Sequence, residues 1–255
     1  GSSNFPTVSA AQASFGGSAS DAFVSRLNPA GSAFVYSTYL GGTAADVATG
    51  VAQVGGAAIV VGYTSSANFP RQGASQASYG GGTDAFLTRV SSAGSSLDFS
   101  TYLGGSGSDT ASGVLLEAAG YIYVVGQTAS SDFPLLSPIA GQESRSGNDD
   151  GFLAAFAAAS GTKAYATYLG GNASDAGVGV AVGANLLHVL GNTLSTNVPT
   201  PGGFFSSPLG PQDGFVARLP ILTLIPAPAS SWLSLLLLGS LLLGAGAFAS
   251  RLKKS

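Results

Sequence analysis

Apolar residues in this chain fall into short runs separated by Gly, Ser, Asn and Asp, and the runs return in groups of four. In the clearest group they occupy residues 112–118, 121–128, 151–157 and 163–169. Runs of this length, rich in β-branched and aromatic residues and bounded by turn formers, predict strands rather than helices. The first two meet at a short Gly-containing turn, which predicts a hairpin. Strict apolar/polar alternation is weak, as it is where both faces of a sheet are covered. One segment departs from this pattern. Residues 232–249 carry no charge and are dominated by Leu, and Arg251, Lys253 and Lys254 follow directly.

The groups of four are copies of one unit. Asp followed by Ala or Gly and then Phe opens a strand at Asp21, Asp84, Asp150 and Asp213, at spacings of 63, 66 and 63 residues. An aromatic-x-Thr-Tyr-Leu-Gly-Gly segment spans 36–42, 99–105 and 165–171, with the Ser of the first two replaced by Ala in the third. Four residues beyond its last Gly stands a further Asp: Asp46, Asp109 and Asp175. Gly-x-Thr closes a strand at 62–64, 126–128 and 191–193, and Phe-Pro follows at 69–70 and 133–134, relaxed to Val198-Pro199 in the third copy. Four strands per repeat of about 64 residues is the unit of a propeller blade. The whole stretch from Tyr-Ser-Thr-Tyr-Leu-Gly-Gly through Asp to Phe-Pro, 36–70 with its recurrences at 99–134 and 165–199, resembles the SBBP family of bacterial β-propeller repeats. That resemblance implies an extracellular or surface propeller and assigns no chemistry, since fold alone does not.

The expected fold class is therefore all-β: a propeller segment of four-stranded antiparallel blades over 1–219, followed by one C-terminal transmembrane helix. The expected divisions are a partial blade at 1–40, blades at 46–104 and 109–170, and an incomplete blade at 175–219. A linker at 220–231, the helix at 232–249 and a basic cytoplasmic tail at 250–255 complete the chain. About 13 strands make an incomplete ring, short of the blades that closure needs. There is no Met, and Phe5-Pro6 falls in the middle of a repeat, so we expect a longer parent chain with its export signal upstream.

As a helix, 232–249 measures about 27 Å, enough for a thin hydrocarbon core. Trp232, Leu236, Leu242 and Phe248 belong to the anchor, and Arg251, Lys253 and Lys254 form a basic stop that stays in the cytoplasm. Pro226-Ala227-Pro228 just upstream, the apolar run and the basic end together resemble a PEP-CTERM sorting signal, with Ala227 where that motif has Glu. The resemblance implies an exosortase-type sorting protease as partner. A plain membrane anchor is the alternative.

Charge narrows the choices further. Charged residues are 8% of the chain, and residues 1–224 hold six basic against twelve acidic side chains. Nucleic acid needs a basic footprint and is excluded. With no Cys there is neither a disulfide framework nor a thiolate metal site.

Candidate chemistry is sparse. Asp46, Asp109 and Asp175 either ring a hard cation such as Ca²⁺ or accept backbone N–H groups and fix a turn. The adjacent pair Asp149-Asp150 is a further Ca²⁺ candidate without EF-hand spacing. His188, the one His, aligns with Tyr123 and Ile59 at packing positions, so no Ser–His couple is expected. Tyr39, Tyr102 and Tyr168 recur at one position and either line a sugar-binding face or pack the repeat. No catalytic or cofactor-binding residue emerges. The expectation is a non-enzymatic, exported surface or matrix protein, a scaffold or binding module for a glycan or surface-protein ligand. A propeller-based polysaccharide-degrading enzyme with its active site in an upstream region, and a purely structural spacer, are the rival classes.

Overall fold

The computed structural model describes residues 2–17, 19–199 and 210–222. Among them are thirteen strands and no helix. They are β1 (Ala22–Leu27), β2 (Phe34–Leu40), β3 (Asp46–Val54), β4 (Ala57–Thr64), β5 (Asp84–Val90), β6 (Leu97–Leu103) and β7 (Asp109–Leu116). The remainder are β8 (Tyr121–Thr128), β9 (Asp150–Ala157), β10 (Lys163–Leu169), β11 (Asp175–Gly183), β12 (Leu186–Thr193) and β13 (Asp213–Pro220). All pair antiparallel with their sequence neighbours in four sheets: β1-β2, β3-β4-β5-β6, β7-β8-β9-β10 and β11-β12-β13. These are the four-stranded meanders of propeller blades. Among the described residues the first and last sheets do not join, so the sheets do not close. The expected transmembrane helix at 232–249, with Trp232, Leu236, Leu242 and Phe248, lies outside the described residues, as do Pro226, Ala227, Pro228, Arg251, Lys253 and Lys254. Among the described residues no helix is long and apolar enough to cross a membrane.

Hairpin turns show how local sequence sets the ladder. Gly55 and Gly56 join β3 to β4 with φ of 53° and 87°, the two left-handed residues a tight primed turn needs. Strand β7 differs from its expected run at both ends. It starts at Asp109 because Asp109 and Thr110 pair with Thr128 and Gln127. It stops at Leu116 because Glu117 to Gly120 form the turn, closed by Gly120 N donating to Glu117 O.

Each first strand carries a register shift at the same repeat position, between Ala48 and Gly50, Ala111 and Gly113, and Gly177 and Gly179. Such a bulge adds twist. In β3 it also turns Thr49 outward, where Oγ1 donates to Ala111 O of the next sheet at 2.6 Å. The sheets stack face to face, and β7 packs across β3, β4 and β5 while β11 packs across β7, β8 and β9. First strands thus neighbour first strands, which places β3, β7 and β11 along the inner side of the stack.

Both faces of the middle strands are covered. Ile59, Val61, Ala85 and Leu87 on one face of the second sheet meet Ile122, Val124, Phe152 and Tyr168 of the third. The opposite face of the second sheet, with Val60, Phe86 and Tyr102, meets Ala22, Val24, Tyr36 and Leu40 of the first. This is why β5 and β9 are buried nearly throughout, whereas β13, covered on one face, alternates at every residue.

Candidate functional site

The recurring acids meet in pairs at one end of each sheet-to-sheet junction. Asp84 begins β5 and Asp109 begins β7, and the Gly-Gly that ends β6 brings them together. A Cβ on Gly104 would lie 2.7 Å from Asp109 Oδ2 and 2.9 Å from Asp84 Oδ1, so only glycine lets the chain pass between the two carboxylates. Gly41 stands in the same way between Asp21 and Asp46, and Gly170 between Asp150 and Asp175.

Within each pair the two acids have different partners. Asp46 Oδ2 accepts from Gly42 N at 2.7 Å and Ser66 Oγ at 2.9 Å, and its other oxygen accepts from Thr64 Oγ1. Asp109 takes Gly105 N at 2.8 Å and Ser130 Oγ at 2.7 Å, and Asp175 takes Gly171 N and Ser195 Oγ, both at 2.7 Å. These serines in turn accept from the loop backbone: Ala44 N on Ser66, Gly107 N on Ser130 and Ala173 N on Ser195. The second acid of each pair holds the preceding loop. Gly16 N donates to Asp21 and Gly80 N to Asp84, both at 2.8 Å, and Ser146 N donates to Asp150 at 3.0 Å.

Burial and like charge set the electrostatics. Asp46, Asp84, Asp109, Asp150 and Asp175 are almost fully buried. Burial raises the carboxyls of Asp46, Asp109 and Asp150, and their hydrogen bonds oppose it. Asp84 is pushed furthest, from 3.8 to about 7, by burial first and then by the Asp109 and Asp132 charges, against the Gly80 amide. Its Oδ1 is buried with no hydrogen-bond partner. Exposed Asp132, by contrast, is lowered by the Ser106 amide and hydroxyl it accepts.

The Asp149-Asp150 pair diverges, as adjacent residues entering a strand must. Asp150 turns into its corner, while Asp149 Oδ2 accepts from Gln127 Nε2 at 3.3 Å. Among the described residues no three acidic or histidine side chains converge as a metal cage. His188 is half-buried on β12 between Ala181 and Arg218 in the ladder.

Tyr39, Tyr102 and Tyr168 are buried, which decides between their two sequence readings in favour of packing. Tyr102 OH donates to Ser66 O at 2.8 Å and accepts from Phe69 N at 3.1 Å, tying the Phe-Pro loop down. The loop's own Phe69 then lies on Phe86 with ring centroids 4.5 Å apart, and Phe133 lies on Phe152 at 4.8 Å.

Sequence reasoning passed over one recurring set. Gln12, Gln76 and Gln142 present Oε1 to the amides of Gly41, Gly104 and Gly170 at 3.0, 3.1 and 2.8 Å. They clamp the first glycine of each corner, and their spacings of 64 and 66 residues were the available signal.

An open cleft of about 220 Å³ lies at the junction of the third and fourth sheets, lined by Gln127, Ser174, Asp175, Ala176, Asn192, Thr193, Leu194 and Gln212. Its lining mixes amides and hydroxyls with the Asp175 carboxylate and the apolar Ala176 and Leu194.

Residues 98–134 match a family model described as a beta-propeller repeat, SBBP. The match runs from β6 through the Asp109 corner and β8 to Phe133-Pro134, one complete copy of the recurring stretch, and supports the SBBP resemblance. No curated protein matches the chain significantly.

Proposed function

We propose that this chain, whose β-propeller repeat fold suggests a binding or structural module, is a non-enzymatic module exported to the cell surface or extracellular matrix and sorted or anchored by its C-terminal tail. The observation that carries the non-enzymatic part is how the repeat uses its acids. Asp46, Asp109 and Asp175 are buried, and each accepts from a turn amide and from a Ser hydroxyl just beyond its blade's second strand, a structural role, whereas an acid–base pair must reach a substrate in a pocket. The partner is a glycan or a surface protein, and the function needs no cofactor.

Export and anchoring rest on the tail sequence. The uncharged run at 232–249 inserts as a helix, with Arg251, Lys253 and Lys254 left on the cytoplasmic side and the propeller on the other. Placing Arg at Leu236 and Leu242 costs about 2.5–3.5 kcal/mol each near the midplane. In the native host, the double substitution L236R/L242R releases the protein from the membrane fraction, and surface proteolysis of intact cells degrades the wild-type propeller. A wild-type protein that is protected from external protease, or a double variant that stays with the membrane, refutes the assignment. Mass spectrometry of the mature C-terminus then separates sorting from anchoring: loss of everything beyond about Ser231 marks processing at Pro226-Ala227-Pro228.

A further inference from the structure

Before the third strand of a blade the repeat ties its loop with a side-chain hydrogen bond, and the fourth sheet omits the tie. In the third sheet Gln127, the middle residue of Gly-x-Thr, donates Nε2 to Asp149 Oδ2 at 3.3 Å, just ahead of Asp150. In the second sheet Ser65, next after Gly-x-Thr, shares a 3.2 Å hydrogen bond between hydroxyls with Thr83, just ahead of Asp84. The fourth sheet places Asn192 at the Gln127 position, Leu194 at the Ser65 position and Gln212 ahead of Asp213. Leu194 has nothing to donate, and among the described residues the exposed side chains of Asn192 and Gln212 make no hydrogen bond. Both ties lie within a single sheet, so the omission is independent of what covers that sheet. The frame around it is kept: Gly191, Thr193 and Asp213 recur, and Asp175 holds its donors Gly171 N and Ser195 Oγ.

The cleft of about 220 Å³ opens at this place, with Asn192, Leu194 and Gln212 on the fourth sheet and Gln127 on the third. We propose that it binds one ring of a neutral saccharide, which gives the glycan partner proposed above its site and rests on that reading. A carboxamide carries donors and an acceptor on one planar group, matching hydroxyls that both give and take a hydrogen bond, and those of Asn192 and Gln212 are free. Leu194, 49% exposed, and Ala176 supply an apolar wall for the C–H face of a ring. Sites for drug-sized ligands run to about 300–1,000 Å³, so this smaller cleft takes a ring rather than a long segment. The ionisable residue in the lining is an acid, Asp175, which disfavours an anionic sugar. A peptide strand fits less well, because Asn192 and Thr193 belong to β12, which is paired on both sides and leaves no free edge to extend.

The test is saturation-transfer NMR on the full chain, held in a polyoxyethylene detergent that has no sugar headgroup and titrated with tetramers of β-linked glucose, mannose and N-acetylglucosamine. Wild type binds at least one of them with a dissociation constant of about 1 mM, the strength that a few exposed hydrogen bonds give. Asn192→Ala and Gln212→Ala each weaken binding about fivefold, the loss of one net hydrogen bond. Gln53→Ala removes an exposed carboxamide at the hairpin end of β3 and leaves binding unchanged. Circular dichroism checks the β signal of each variant, and if one variant loses it the other decides. Binding untouched by both substitutions overturns the site and leaves the glycan partner standing. Wild type that binds none of the three tetramers overturns the inference, and surface proteolysis of intact cells judges export separately. A galacturonate or glucosamine tetramer that binds more tightly than the neutral ones, or a Gly-Ser peptide that binds as well, overturns the ligand class.

Discussion

Deprotonating Asp84 places a second negative charge in a corner that already holds Asp109, and the structure gives the size and sign of the effect. The side chain is buried at the start of β5, with Oδ1 unpartnered and Asp109 across Gly104. Burial first, and the neighbouring acids after it, raise its carboxyl from 3.8 to about 7. Because the folded value lies above the unfolded one, the native state binds the extra proton. Its contribution is fully present below the unfolded value and is lost as pH rises through about 7. At about 1.4 kcal/mol per unit, a rise of about three units amounts to about 4 kcal/mol as an upper bound.

Urea unfolding at pH steps from about 5 to about 8 measures this loss as a falling midpoint. Tyrosine emission reports it, since the one Trp lies in the tail at position 232. Asp84→Asn is the control. Its amide oxygen still accepts from Gly80 N, but nothing at that position ionises. The raised carboxyls of Asp46 and Asp150 are common to both proteins, so the difference between the two curves reports Asp84 together with its coupling to Asp109. Asp84→Asn should overtake wild type toward pH 8, with a slope smaller by up to about 1.4 kcal/mol per pH unit. Parallel curves over this range would refute the account of the corner.

Three further substitutions probe the buried contacts of the repeat. Tyr102→Phe removes a hydroxyl that serves both Ser66 O and Phe69 N in a buried setting, at an expected cost of about 2–3 kcal/mol in urea unfolding. Tyr39→Phe, whose partners Ser2 and Phe5 lie nearer solvent, should cost about 1 kcal/mol or less, and equal losses would contradict the clamp. Gly104→Ala forces a methyl to within 2.9 Å of two carboxylates and should lose about 3 kcal/mol or more, where a loss near zero would mean that the corner is not tightly held.

The repeat was legible because it is written in residues with few substitutes. Gly62 and Gly126 show why: a Cβ there would stand 1.9 and 2.0 Å from the carbonyls of Val47 and Thr110, so Gly-x-Thr marks a strand crossing that admits nothing larger. The strand β8 spans the same residues as its apolar run, 121–128, because both of its faces are covered and every residue is chosen for burial. The corner was only half legible. Asp recurrence announces that the residue matters, but a cation cage and a buttressed turn leave the same spacing. What separates them is whether donors already occupy the oxygens, and those donors, Thr64 and Ser66 for Asp46, lie 18 and 20 residues away. Gln12, Gln76 and Gln142 were harder still: Gln-Ala-Ser, an aromatic residue and Gly-Gly run through 12–17 and 76–81, but the third copy keeps only Gln142 and Ser144 of the first three residues.

The low charge of the chain has a structural origin that composition alone does not disclose. Where sheets stack on both sides, a third strand such as β5 has almost no position at which a charged side chain reaches water. Its one basic residue, Arg89, lies along the junction, paired with Asp98 at 3.0 Å and donating to the next sheet's Ala158 O. The same rule explains the residues at the ends of the stack. A strand designed by its repeat to be covered keeps apolar side chains on both faces even where one face is bare, and β13 does so with Val216 on one side and Ala217 and Leu219 on the other. An end blade adapted to solvent would carry polar residues on its outer face, as capping repeats do. Leu190 and Val216 stand where such residues would be, so the last sheet carries the side chains of an interior blade.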